Sequence, residues 1–82
     1  MALVQIESSR DGEMKILDNV TRITFYYEDQ PEQGFIGSQL LDLMSNLPQG
    51  WSSVVIGTPW SEQRLDTSWH FTAVNPSDIE ML

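Results

Sequence analysis

Ile36-Gly-Ser-Gln-Leu-Leu-Asp-Leu-Met-Ser-Asn-Leu-Pro-Gln-Gly50 is the stretch on which the fold turns. Ile36, Leu40, Leu43, Met44 and Leu47 fall at i, i+4, i+7, i+8 and i+11, the spacing of one face of an α-helix. Ser38 is placed to cap its start, Phe35 to staple it, and Pro48 with Gly50 to end it. Asp42 and Ser45 point to water in this reading. A helix with such a stripe cannot bury it alone, so it must lie across a sheet.

The flanking segments supply that sheet. Ala2 to Glu7 alternates as a strand with Val4 and Ile6 on one face, and Ser9 to Gly12 is a turn whose Asp-Gly suits a hairpin. Met14 to Leu17 resumes extended structure, and Asp18-Asn19 bulges or turns the chain. Val20 to Glu28 is the clearest strand, with Ile23, Phe25 and Tyr27 alternating against Arg22, Thr24 and Tyr26. The pattern leaves open whether residues 14–28 form one bent strand or two. Residues 28–34 read as a polar loop.

After the helix, Trp51 to Ile56 is a second β region and residues 57–66 a ten-residue loop holding Pro59, Trp60 and Arg64. Thr67 to Val74 is the last strand, with Trp69, Phe71 and Ala73 on one face and His70 and Thr72 on the other. Asn75-Pro-Ser-Asp78 has the form of a helix start, followed by a turn or a docking tail to Leu82. The expected fold is therefore α+β. It is a small antiparallel sheet of four or five strands with one main helix packed on one face, in the order β-β(-β)-α-β-β with a short C-terminal helical turn.

Composition narrows the function. The 82 residues suit a single domain, residues 1–82, with a thin core. Twelve acidic residues face four basic ones, for a net charge of −8. Such a surface repels nucleic acid and anionic lipid and speeds encounter with basic protein surfaces. The absence of cysteine excludes disulfides and thiolate metal sites and, with no basic leader or long apolar run, predicts the cytoplasm. The acids gather mainly in two segments, 28–32 and 62–66.

No catalytic set stands out. His70 is the one histidine, with Asp66 four residues before it, and no G-x-S-x-G elbow accompanies the serines. Glu28, Asp29 and Glu32 lack the spacing and central glycine of a calcium loop. No metal or cofactor is expected. The candidate partner-binding residues are Glu28, Asp29, Glu32, Glu62 and Asp66 as phosphate-like carboxylates, with Trp60 and Tyr26 as aromatic anchors.

Gln33 to Leu41, with Gly34, Gly37 and Ser38 between a strand and a helix, resembles the coenzyme-A pyrophosphate turn of acetyltransferases of the GNAT family. Its glycines are three apart where that motif has two, and no arginine precedes them. That resemblance implies a small transferase with a degenerate phosphate-binding turn.

In size, charge and lack of cysteine the chain resembles phage-encoded anti-defence proteins, anti-CRISPRs among them, and toxin-neutralising immunity proteins. The resemblance is one of type. It implies a non-enzymatic inhibitor or regulator that occludes a basic, normally nucleic-acid-binding surface of a protein target without binding nucleic acid or membrane itself. Its setting is the cytoplasm, the host's if the chain is phage-encoded. The chain is expected as a monomer or a homodimer. The competing reading is a homo-oligomer, accessory or ligand-enclosing, that pairs an uncovered sheet face.

Overall fold

Alternation shapes the first strand as the pattern demands. The computed structural model describes residues 1–76 and places Ala2–Ser8 in β1. Ala2, Val4, Ile6 and Ser8 are buried, while Leu3, Gln5 and Glu7 lie on the opposite face. The Asp-Gly turn follows, with Gly12 at φ 76°, a left-handed conformation that costs glycine little. The chain returns as β2 (Met14–Val20), antiparallel to β1.

Residues 14–28 are two strands in two sheets. Ala2 pairs with Val20 and Val4 with Leu17, so Asp18 and Asn19 together oppose Leu3. This is a bulge, and Asn19 takes φ 60° within it. Past Thr21 the chain enters β3 (Arg22–Tyr26), which ends two residues before Glu28. Two further antiparallel neighbours of β3 are β4 (Gln33–Ile36) and β5 (Ser53–Gly57), and β6 (Glu62–Asp66) pairs with β5. The last described strand, β7 (Trp69–Pro76), returns to the other side of β1. One sheet is ordered β2-β1-β7 and the other β4-β3-β5-β6.

The α+β expectation is therefore overturned. The protein is mostly β, with seven strands in two antiparallel sheets and one 3-10 helix among the described residues. That helix, Gly37–Asn46, is tighter than the α-helix expected from the spacing. With three residues per turn only i, i+3 neighbours share a face. Leu40 and Leu43 are buried, Leu47 is half-buried beyond the helix end, and Ile36 and Met44 face solvent. At about 2.0 Å rise per residue the segment reaches further than an α-helix of equal length, and it lies against β7, β4 and β3. Ser38 does not cap it. Ile36, in extended geometry, precedes the first turn, and its N–H donates to Gln39 Oε1 at 3.0 Å. Leu47, held extended before Pro48, ends it as expected.

Two more expectations change. The loop expected over 57–66 is a β-hairpin: Gln63 and Leu65 turn inward while Glu62, Arg64 and Asp66 turn out. In β7 the alternation breaks at Thr72, because Gln5 pairs with Ala73 and Ile6 with Phe71. Phe71 and Val74 consequently both face the core, and Ala73 moves to the outer face. Asn75 and Pro76 pair with Leu3 and Ala2 rather than starting a helix. The expected C-terminal turn over 77–82 lies outside the described residues.

The two sheets share one core. Val4 and Ile6 of the first sheet, Ile23, Phe25, Val54 and Ile56 of the second, and Leu40 and Leu43 of the helix are all buried. Phe25 is its centre. Its ring centroid lies 5.9 Å from Phe35, 5.6 Å from Trp51 and 5.7 Å from Phe71, the last across the gap between sheets. Truncating Phe25 to Ala removes all three contacts and should cost about 3–5 kcal/mol. A domain this small holds roughly 4–12 kcal/mol in all. Urea unfolding should show the F25A variant with a sharply lowered midpoint or already unfolded in buffer.

Candidate functional site

The outward face of the four-stranded sheet carries three of the residues singled out above. Arg22 and Tyr26 of β3 alternate outward with Thr24, and Glu62, Arg64 and Asp66 do so on β6. Small residues between them, Gly57, Val55 and Ser53 of β5, let long side chains lie flat across the sheet. Arg22 crosses Gly57 so closely that a Cβ there would sit 2.5 Å from its Cζ. Its Nη2 reaches Glu62 Oε2 at 2.6 Å, and its Nη1 donates to the Thr58 carbonyl at 3.4 Å. Arg64 lies over the Tyr26 ring at 5.1 Å and donates to Ser53 Oγ at 3.2 Å.

Asp66 is held from two sides. Its Oδ1 accepts the Ser68 backbone N–H at 2.9 Å and the Ser68 hydroxyl as well. Its Oδ2 accepts from Arg10 Nη2 at 3.2 Å. The Ser68 hydroxyl, then the Ser68 N–H and the Arg10 charge, hold this carboxyl below its ordinary value. The fourth cation, Lys15, lies 5.2 Å from the Trp69 ring centroid on the inner face. Arg10, Lys15, Arg22 and Arg64 are thus each engaged within the chain.

The carboxylates are less evenly treated. Glu28, Asp29, Glu32 and Asp42 are exposed and make no ion pair among the described residues. Glu28, Asp29 and Glu32 lie in the connection from β3 to β4, at the sheet end where Tyr26, Ser53 and Asp66 stand in register. The β1–β2 turn reaches this end too, since Ser9 N–H donates to the Ser68 carbonyl at 2.7 Å. It brings Asp11 and Glu13, with Asp11 accepting the Glu13 N–H at 2.9 Å.

Trp60 and Glu62 lie at the opposite end. The length of β6 separates them from Asp66, a span of about 14 Å. The two acidic segments therefore do not form one face around Trp60: Glu28, Asp29, Glu32, Asp66 and Tyr26 share one end, Glu62 and Trp60 the other. Trp60 does not fold back onto the sheet and is 75% exposed. Its turn is fixed by Thr58, whose N–H donates to the Ser61 carbonyl at 2.8 Å and whose Oγ1 accepts from the N–H groups of Trp60 and Ser61 at 3.3 and 3.1 Å.

His70 lies on the outer face of the three-stranded sheet with Nε2 3.5 Å from Glu7 Oε1. Asp66 is taken by Ser68 and Arg10 rather than by His70. Among the described residues no cluster of three or more His, Asp or Glu is placed to hold a metal ion. No helix among them is long and apolar enough to cross a membrane. At the Gly34–Ser38 segment, Gly37 takes φ 60° and the Ile36 N–H is already occupied by Gln39.

A groove of about 310 Å³ runs between β4 and the 3-10 helix, lined by Gln33, Gly34, Phe35, Gln39, Asp42 and Asn46. Sequence reading missed Gln33, Gln39, Asp42 and Asn46 as a set. A three-residue helical period, rather than 3.6, is the signal that aligns Gln39 with Asp42. The chain matches no protein-family model, and comparison with curated proteins and solved structures found no match.

Two outcomes follow for the sheet face. Gly57→Ala should destabilise the protein by about 1–3 kcal/mol through its clash with Arg22. In a double-mutant cycle, adding Arg22→Ala should recover part of that loss, since the clash is then gone. A strictly additive cycle would contradict the packing described. For Asp66, the lowered folded-state value means its contribution to stability is complete above the unfolded carboxyl range and disappears as pH falls through the lowered value. Ser68→Ala should move the Asp66 carboxyl upward in an NMR titration and shift that acid loss to higher pH.

Proposed function

We propose that this protein is a non-enzymatic binding protein whose acidic end engages a basic surface of a protein partner. The observation that carries the reading is the uneven charge pairing. The four cations are engaged within the chain, while Glu28, Asp29 and Glu32 stand exposed and, among the described residues, unpaired at the same end as the 9–13 turn. Carboxylates left in this state attract Lys and Arg and steer encounter. In the reading's fullest form they stand where phosphates would, on a surface that otherwise grips nucleic acid. The protein then acts as an inhibitor or regulator of the anti-defence or immunity type, in the cytoplasm. Tyr26 extends the same end, with its ring beneath Arg64. Trp60, at the other end of the sheet, lies outside this contact as proposed.

The test is affinity capture from the source cell with the wild-type chain and with Glu28→Gln, Asp29→Asn, Glu32→Gln combined. A basic protein should be retained by the wild type at about 50 mM salt and released near 500 mM, as screening demands. The triple variant should retain at least tenfold less, and Trp60→Ala should retain as much as the wild type. Retention indifferent to salt and to the triple variant would refute the reading.

A further inference from the structure

The four sheet edges are not equally guarded. An edge strand exposes unpaired N–H and C=O groups and will pair with another chain unless something prevents it. On β6 the guard is charge, with Glu62, Arg64 and Asp66 side by side. On β2 it is the Asp18-Asn19 bulge and Lys15, whose side chain turns inward. On β7 it is the irregularity at Thr72 and Pro76 at the end. The fourth edge, β4, is Gln33-Gly-Phe-Ile36, without charge, proline or bulge; the start of the 3-10 helix covers it only at Ile36, through Gln39.

The direction of its backbone groups can be read from one hydrogen bond. Ile36 N–H donates to Gln39 and not to β3. Alternate residues of a strand turn their backbone groups to the same side, so Gly34 points its N–H and C=O away from β3 as well. Those groups face the groove. The far wall supplies Gln39, Asp42 and Asn46 from the 3-10 helix. Carboxamides there can bond a backbone running past, and the Asp42 carboxylate makes no ion pair among the described residues.

We infer that this groove takes an extended peptide segment of a partner, added as a strand to β4, with a Lys or Arg side chain placed against Asp42. The choice of occupant follows from charge. A second copy of this chain would set Asp42 near Asp42 and add −8 to −8. A basic strand meets Asp42 in the groove and Glu32 immediately before β4. The inference rests on the proposed function for the sign of the partner's charge, and it adds the binding mode and the strand that reads it.

The experiment uses the whole, isotope-labelled chain and an acetylated, amidated peptide of four Lys-Val repeats. Two comparison peptides are four Glu-Val repeats and the Lys-Val peptide N-methylated on alternate residues. The Lys-Val peptide should perturb the amide signals of Gly34, Phe35 and Asp42 at low salt, and the Glu-Val peptide should not. N-methylation on the bonding side should weaken binding at least tenfold, since it keeps the charge and removes the donors. Asp42→Asn should weaken the unmodified peptide about tenfold.

Equal binding of the N-methylated peptide would overturn strand addition. Perturbations confined to 28–32 would overturn the groove while leaving the acidic-end function intact. No binding of the Lys-Val peptide, or concentration-dependent dimerisation through β4 in sedimentation, would overturn the inference outright. Undiminished capture by the triple variant, with these peptide results as expected, would overturn the acidic-end function and leave the groove inference standing.

Discussion

The contact between Phe25 and Phe71 is the constraint on which the rest of this molecule depends. Each sheet alone is too small to bury its inner face, and a thin domain has no spare core. Phe25 lies on the inner face of the four-stranded sheet and Phe71 on that of the three-stranded one, their rings 5.7 Å apart. Closing that gap also seats Phe35 from β4 and Trp51 from the approach to β5 against the same ring. The 3-10 helix then covers the remaining opening with Leu40 and Leu43. Because Phe25 must point inward, Tyr26 and Thr24 must point outward, and the polar face of β3 is set by the apolar one.

Much of the strand content is legible in the sequence, because period-2 alternation in Ala2–Ser8 and Arg22–Tyr26 is strong and locally determined. The Asp11-Gly12 turn and the halt at Pro48 are legible for the same reason: each is fixed by one residue's backbone chemistry. The architecture is not. Leu40, Leu43, Met44 and Leu47 fit an α-helical face as well as they fit what forms. Nothing in their spacing selects the 3-10 path over the α-helical one. Gln33–Ile36 is too short and too glycine-rich to announce a strand. Glu62–Asp66 hides its alternation because only Gln63 and Leu65 turn inward, and Gln63 is polar.

The switch between sheets escapes local reading in another way. Val20 and Ile23, on the two sides of Thr21, are equally good strand formers, and Asp18-Asn19 signals a bulge or turn without saying that the sheet changes there. What divides them is the Asn19 bulge, which rotates the chain so that Val20 closes one sheet and Arg22 opens the other. The candidate site suffers from the same limit. Glu28, Asp29 and Glu32 are visible as a cluster because they lie within five residues of one another, whereas the segments around them depend on topology. Treating 62–66 as a loop made Trp60 and Glu62 neighbours of Asp66. As a strand, the same residues are spread over the length of the sheet.

Topology also explains why the unpaired charge collects at one end. Strand positions are committed: inward ones to the core, outward ones on β3 and β6 to the Arg22–Glu62 pair and the Arg64–Tyr26 stack. Glu28, Asp29 and Glu32, without such a role, lie in a connection. In an antiparallel arrangement connections alternate between ends, and those from β1 to β2 and from β3 to β4 fall on the same one, while that from β5 to β6 falls on the other. The first two carry Asp11, Glu13, Glu28, Asp29 and Glu32; the third carries Trp60 and no carboxylate. A net charge of −8 spread evenly would mean little beyond solubility. Among the described residues, strand order instead places Asp11, Glu13, Glu28, Asp29 and Glu32 at one end and the exposed Trp60 at the other, a polarity that an even spread would not give.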